Sequence, residues 1–187
     1  IPGALLSTIG YGILDEAVNT LHLTDPSEVL KHLYLKMHKF LRMEVEKTGI
    51  SDDLDIALCS LDTKKHILTY SGVGNPLYHV SGSRLDEYRP GNLKKKYDNT
   101  NENEYLFESI HLRSGDIIYL FSDGYADQFG GKDHKKYQTG RLKNFLLSIQ
   151  GHPMPEQGDL LFEEIEKWRE EKNEEQTDDI LVAGIRI

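Results

Sequence analysis

The chain has a single cysteine, Cys59, among 187 residues. That count excludes an internal disulfide framework and fits a reducing, cytoplasmic compartment. No apolar run approaches the ~18 residues that a membrane span needs. Nor does any stretch combine a basic start, an apolar centre and a small-residue cleavage site, so no secretion signal is expected. Basic residues are in deficit, with 22 Lys and Arg against 31 Asp and Glu and a net charge of −9. Such a surface repels nucleic-acid backbones and anionic lipid, which excludes both as expected partners. The eight histidines are scattered without the paired spacing of a zinc site. No internal repeat and no Pro/Ser-rich linker divides the chain. Its length suits one domain of ordinary size, and a hydrophobic content of 38% supplies a core. The opening Ile1-Pro2-Gly3, without Met, suggests a segment of something longer.

The hydrophobic period assigns the elements. Leu5, Leu6, Ile9, Ile13, Leu14, Ala17, Val18 and Leu21 form one helical stripe over 3–22. Within it, Gly10 and Gly12 each weaken the helix by about 1 kcal/mol relative to Ala, or else allow close packing or a shift in helix position. Thr24-Asp25-Pro26 ends that helix and starts a second over 26–48, carrying Val29, Leu30, Leu33, Met37, Phe40 and Leu41. The period then falls to two. Strands are expected at 54–61, 66–72, 76–81, 84–88, 105–112 and 116–121, with Ser81-Gly82-Ser83 as a hairpin turn. Residues 91–104 are polar and aperiodic and read as a loop. Helices follow at 137–150 and 155–172, and a last strand at 180–187. Helices, a run of antiparallel strands, then helices and a closing strand indicate an α+β layered domain.

Two acidic segments could carry chemistry. In 116–131, DIIYLFSDGYADQFGG, an apolar strand runs into Ser122-Asp123-Gly124, with Asp127 four residues on. The strand would hold Asp123 in place, and Gly124 would let the backbone approach a ligand closely. The same residues also read as an ordinary turn followed by a helix cap. In 176–187, QTDDILVAGIRI, Asp178 and Asp179 stand directly before an aliphatic strand, where they would repel each other unless a cation, hydrogen bonds or water relieves them. Solvation of the strand start accounts for them as well. Together they suggest an oxygen-ligated Mg2+ or Mn2+ site, since hard cations use carboxylate and water oxygens. The remaining features carry plainer readings. Cys59 is expected to be a buried strand residue, His134 and Lys94-Lys95-Lys96 solvated loop residues, and Asp52, Asp53 and Asp55 a solvated strand edge.

Five collinear segments span the chain: Ile1-Pro2-Gly3-Ala4-Leu5-Leu6-Ser7-Thr8-Ile9-Gly10, then Asp55-Ile56-Ala57-Leu58-Cys59, YSGVGNPLY at 70–78, FSDGYADQFGG at 121–131 and TDDILV at 177–182. The series resembles the bacterial SpoIIE/RsbU-type members of the metal-dependent (PPM, type-2C-like) serine/threonine phosphatases. The resemblance implies a four-layer α/β/β/α sandwich of two antiparallel sheets flanked by helices, lacking its first strands. It implies one partial domain over 1–187, with switch helices at 1–48 and the core and metal-site strands at 54–187. Two Mn2+ or Mg2+ ions are implied, with Asp123 and Asp178 as ligands and Asp127 near an accessory metal. Gly124 and Asp179 complete the implied metal-site set, Asp179 ranking below Asp178. The Asp-x-x-Gly-His-Gly motif that precedes the first helix in that family would fall before Ile1, and its bridging Asp has no counterpart here. No side chain acts as nucleophile, because water activated by the metals attacks the phosphorus. The implied partner is a phosphorylated protein, an anti-sigma-factor antagonist or another signalling protein. An upstream sensor or receiver domain and a homodimer are also implied. A non-catalytic regulatory module and a small-phosphoester hydrolase are the alternatives.

Overall fold

The computed structural model describes residues 3–48, 55–89 and 108–187. The expected loop at 91–104 with its three lysines, together with Asp52 and Asp53, lies outside the described residues. The chain divides into two compact units, one of residues 1–74 and 90–111, the other of residues 75–89 and 112–187.

In the first unit, helix α1 (Gly3–Asp15) leads into a π-helical turn at Glu16–Thr20, and α2 covers Pro26–Thr48. Asp25 starts α2 by accepting the Ser27 backbone N–H at 2.8 Å and the Ser27 hydroxyl at 2.7 Å. This satisfies a first-turn donor, and Pro26 gives up nothing because its position needs no N–H. Leu6, Ile9, Ile13 and Leu14 pack with Leu33 and Met37 of α2 and with Ile56. The single helix expected over 3–22 is corrected by the π turn, where the Leu21 N–H donates to the Glu16 carbonyl at 2.9 Å. A wider turn rotates the following side chains away from the stripe. Val18 and Leu21 are consequently exposed, as is Leu5 near the helix start. Lys36 tethers the π turn to α2 through both Glu16 carboxylate oxygens, at 2.8 and 2.7 Å. Strands β1 (Ile56–Asp62), β2 (Ile67–Val73) and β5 (Glu108–His111) form an antiparallel sheet in the order β1-β2-β5. Cys59 lies on β1, an edge strand, and is exposed. The expectation of a buried thiol is corrected: the Cys59 side chain is exposed, on the outermost strand of this sheet among the described residues.

The second unit holds β3 (Leu77–Ser81), β4 (Arg84–Tyr88), β6 (Ile117–Phe121) and β9 (Val182–Arg186) in the order β4-β3-β6-β9, all antiparallel. Between β6 and β9 come the one-turn helix α3 (Gly124–Asp127), a two-residue ladder of β7 (Phe129–Gly130) with β8 (Lys135–Lys136), α4 (Thr139–Ile149) and α5 (Met154–Glu170). Side chains one period apart on the strands, Tyr78, Val80, Ile117, Tyr119 and Phe121, meet Leu142, Leu146 and Ile149 of α4 and Leu161 and Ile165 of α5. This is the helix-on-sheet burial that the change of period predicts. The closing strand begins at Val182 rather than at residue 180, for a reason that belongs to the acidic site. No helix among the described residues is long and apolar enough to cross a membrane.

Buried polar groups pin this unit. Tyr119 donates its hydroxyl to Gln157, whose amide nitrogen bonds the Gln150 and His152 carbonyls at 3.2 and 2.8 Å. At the start of β6, buried Asp116 accepts from His79 Nε2 and from the Arg113 N–H, both at 2.9 Å. Burial opposes ionisation of Asp116, yet the Arg113 N–H, the Ser81 hydroxyl and the His79 ring together hold its carboxyl below the ordinary range.

A depressed carboxyl pKa stabilises the fold above the unfolded value, near 3.9, and that stability is lost as pH falls through the folded value. Asp116→Asn is therefore expected to cost about 3 kcal/mol at neutral pH and to flatten the acid limb of stability, as read by urea midpoints measured from pH 7 downward. Methyl groups built at Gly10 or Gly12 would meet no atom within 4 Å, so neither glycine is demanded by packing. Gly12→Ala is expected to raise the denaturation midpoint, by about 1 kcal/mol in stability.

Candidate metal centre

Strand β6 ends at Phe121, which pairs with Val182 of β9. One residue further on, Ser122 joins the two acidic segments. Its N–H donates to the Leu181 carbonyl at 2.9 Å. Its hydroxyl donates to the Asp179 carbonyl at 2.8 Å and accepts the Leu181 N–H at 2.9 Å. The hydroxyl thus takes the place of a ladder carbonyl for Leu181, which is why regular pairing starts only at Val182. Asp123 then opens α3, and the Asp127 N–H closes that turn on the Asp123 carbonyl at 2.9 Å.

Gly124 sets how closely the segments approach. A β-carbon there would lie 2.4 Å from the Asp179 carbonyl oxygen and 3.5 Å from the Asp178 carbonyl carbon. The Gly124 backbone, next to Asp123, therefore lies against the Asp179 carbonyl, next to Asp178, and only glycine permits this. Asp123, Asp178 and Asp179 have exposed side chains. Asp178 Oδ1 accepts the Asp179 N–H at 2.7 Å, and its carbonyl accepts from Gln176 Nε2 at 2.8 Å.

Asp127 is placed differently. It sits at the far end of α3, with Oδ2 2.7 Å from Lys136 Nζ. His134 pairs with Glu174 at 2.7 Å and lies beside the Phe129 ring. Asp55 belongs to the first unit, packed under Gly74 so closely that a β-carbon there would lie 1.9 Å from its Oδ1.

Gln128 is a residue beside the site that sequence reasoning did not single out. It is fully buried. Its amide nitrogen donates to the Glu175 carbonyl at 2.9 Å and to the Phe129 carbonyl at 3.1 Å, and its Oε1 accepts the Thr177 N–H at 3.2 Å. It thereby fixes the chain that leads into Asp178. It lay inside the quoted FSDGYADQFGG segment, but a single glutamine carries no periodic signal that would have shown its burial. Ser122 stood inside the quoted SDG motif but had no reason to be singled out until its partners were known.

Among the described residues, no group of three or more His, Cys, Asp and Glu side chains converges to hold a metal. The chemistry of the donors present is nonetheless suitable. Mg2+ and Mn2+ bind through one or two carboxylates plus retained waters, and exposed Asp123 and Asp178 are oxygen donors on touching backbones.

Solved structures share this fold. The SiaA-PP2C domain of Pseudomonas aeruginosa superposes with a TM-score of 0.80 at 22% identity, over 100% of this chain and 71% of that one. The PP2C phosphatase domain of SpoIIE with a fragment of its regulatory domain, from Bacillus subtilis, gives 0.66 at 20%, over 98% and 50%. The RsbU and RsbW domains of Rv1364c from Mycobacterium tuberculosis give 0.65 at 19%, over 99% and 48%. The comparison with curated proteins gives no match. The architecture is thus the α+β fold of PP2C-type phosphatase domains. The profile of the Stage II sporulation protein E (SpoIIE) family matches residues 1–187, and the chain belongs to that family.

Gly124→Ala forces the Asp179 carbonyl away and is expected to destabilise the unit by about 1–3 kcal/mol, as measured by chemical denaturation. Gln128→Ala releases the Thr177 amide. Its hydrogen exchange is expected to accelerate by more than tenfold while amides in α4 keep their protection, as followed by exchange mass spectrometry.

Proposed function

We propose that this chain supplies the catalytic unit of a metal-dependent phosphatase acting on phosphoserine or phosphothreonine of a bacterial signalling protein. An anti-sigma-factor antagonist is the expected substrate class, and the compartment is cytoplasmic. Membership of the SpoIIE family and the PP2C-type fold support the reaction class. The observation that carries the reading is the contact of Gly124 with the Asp178-Asp179 backbone, clipped by Ser122.

In this reading Asp123 and Asp178 hold Mn2+ or Mg2+, with Gly124 and Asp179 shaping the approach. A divalent cation held between the two segments would draw both carboxylates toward it. Once bound, a pair of such cations supplies a water nucleophile at neutral pH and polarises phosphoryl oxygens. The protein's own part is positional: Ser122 and Gln128 hold both strand ends so that the carboxylates do not have to be ordered when substrate arrives. Asp127 reaches an accessory cation only if its pair with Lys136 opens.

We assign α1, the π turn and α2 to regulation of the same domain. Short π segments concentrate at functional sites, and the Glu16–Lys36 pair gives this one a defined docked position. Unaltered activity after α1 is crosslinked to α2 would remove this assignment. A fused regulatory domain belongs to the same reading, supported by the SpoIIE structure that contains one in part. A homodimer is also part of it.

Asp123→Asn and Asp178→Asn are each expected to weaken Mn2+ binding and to lower manganese-dependent phosphopeptide hydrolysis by about 100-fold or more. Calorimetry and phosphate release measure the two effects. Undiminished activity in either variant would end the metal assignment. Manganese binding without any phosphatase activity would favour a non-catalytic module, and turnover of small phosphoesters alone would favour a small-molecule hydrolase.

A further inference from the structure

Beside the acidic strand ends, the second unit carries a cleft of about 320 Å3 among the β7–β8 turn, the start of α4 and the end of α5. Four cationic side chains, Lys132, Lys135, Lys136 and Arg141, line it against two acidic ones, Asp133 and Glu171. Lys135 pairs with Asp133 at 3.3 Å and Lys136 with Asp127 at 2.7 Å, which leaves Lys132 and Arg141 without a carboxylate partner among the described residues.

Arg141 is the informative residue. Its guanidinium stacks over the Trp168 ring at 4.1 Å and lies 5.4 Å from the Tyr137 ring. Among the described residues it has no carboxylate partner. The platform beneath it is rigid. Trp168 Nε1 donates to the Gln128 carbonyl at 3.2 Å. Gly130 and Gly131 lie against Trp168 so closely that a β-carbon at either would come within 2.3 Å of it. Tyr137 is buried and donates its hydroxyl to Glu164 at 3.0 Å. A stacked guanidinium loses little entropy on binding, and its fork matches a carboxylate in bidentate fashion. The aromatic walls suit the methylene stem that carries such a group.

The cleft also lies close to the acidic site. Lys136 on its wall pairs with Asp127, and Asp123 and Asp127 stand at the two ends of α3, a rise of about 6 Å. A group seated over Trp168 would thus belong to the same substrate chain as a phosphoryl group at Asp123.

We propose that this cleft is a subsite for a carboxylate-bearing side chain of the protein substrate, flanking its phosphorylated residue and read by Arg141. The proposal rests on the phosphoprotein reading above and deepens it by giving the substrate an acidic flank.

Trp168 is the only tryptophan of the chain, so its emission reports the cleft directly. The test uses an unphosphorylated Glu-bearing peptide, its Gln-substituted twin and inorganic phosphate, each titrated against Trp168 fluorescence, with calorimetry as an independent readout. Saturable binding of the Glu peptide alone is expected. Arg141→Gln is expected to weaken that binding by about tenfold. Arg141→Lys, which keeps the charge but not the fork, should bind more weakly than wild type. On phosphopeptides, Arg141→Gln should raise KM about tenfold for an acidic-flanked substrate, leave kcat unchanged, and spare a small phosphoester. No saturable binding, equal binding of the Gln twin, or a response to inorganic phosphate alone would overturn the proposal. Peptide binding needs no turnover, so a chain without phosphatase activity leaves this outcome readable.

Discussion

The organisation of the acidic site depends on one close approach, that of the Gly124 backbone to the Asp179 carbonyl. Any side chain at 124 would separate the two strand ends. The ladder between β6 and β9 brings these ends together, and the Ser122 hydroxyl bonds both sides of the junction once regular pairing stops. Because strand positions in a packed sheet vary little, the backbone at such a junction is held in one arrangement.

Around that junction the second unit uses buried amides where an apolar core would have sufficed for stability alone. Gln128 bonds both the backbone beside it and the segment entering Asp178, and Gln157 ties β6 to the connection between α4 and α5. A buried amide is costly unless satisfied, so each of these groups tolerates only the arrangement that satisfies it. They specify one geometry for loops that hydrophobic burial alone would leave loosely defined. At the opposite end of β6, buried Asp116 is held by the His79 ring and the Arg113 N–H.

Charge is distributed to match. The chain's acidic residues include those at the strand ends, while the basic side chains near them collect on the β7–β8 turn and at the start of α4. The same aromatic pair, Tyr137 and Trp168, packs the helices and supports Arg141. Helix packing and the Arg141 stack therefore share residues, and a change to either ring would act on both.

Much of the fold was legible beforehand, because apolar periodicity reports burial directly: the long helices, the β3–β4 hairpin and strand β6 fall where the spacing of their side chains puts them. Asp123 and Asp178 were visible as acids at strand ends, and the motif series pointed to the SpoIIE family that the whole chain matches. Other features follow from specific partners and exposure that the apolar pattern does not encode. The π turn, the exposure of Cys59 on an edge strand, the late start of β9, the pairing of Asp127 with Lys136 and the burial of Gln128 are of this kind. None of them changes the local pattern of apolar and polar residues. Sequence alone determined which segments are helix or strand and which acids stand at their ends, since those depend on near neighbours. Tertiary structure decided which ends touch and which polar groups hold them there, since hydrogen bonds such as that from Ser122 to Asp179 join residues 57 positions apart.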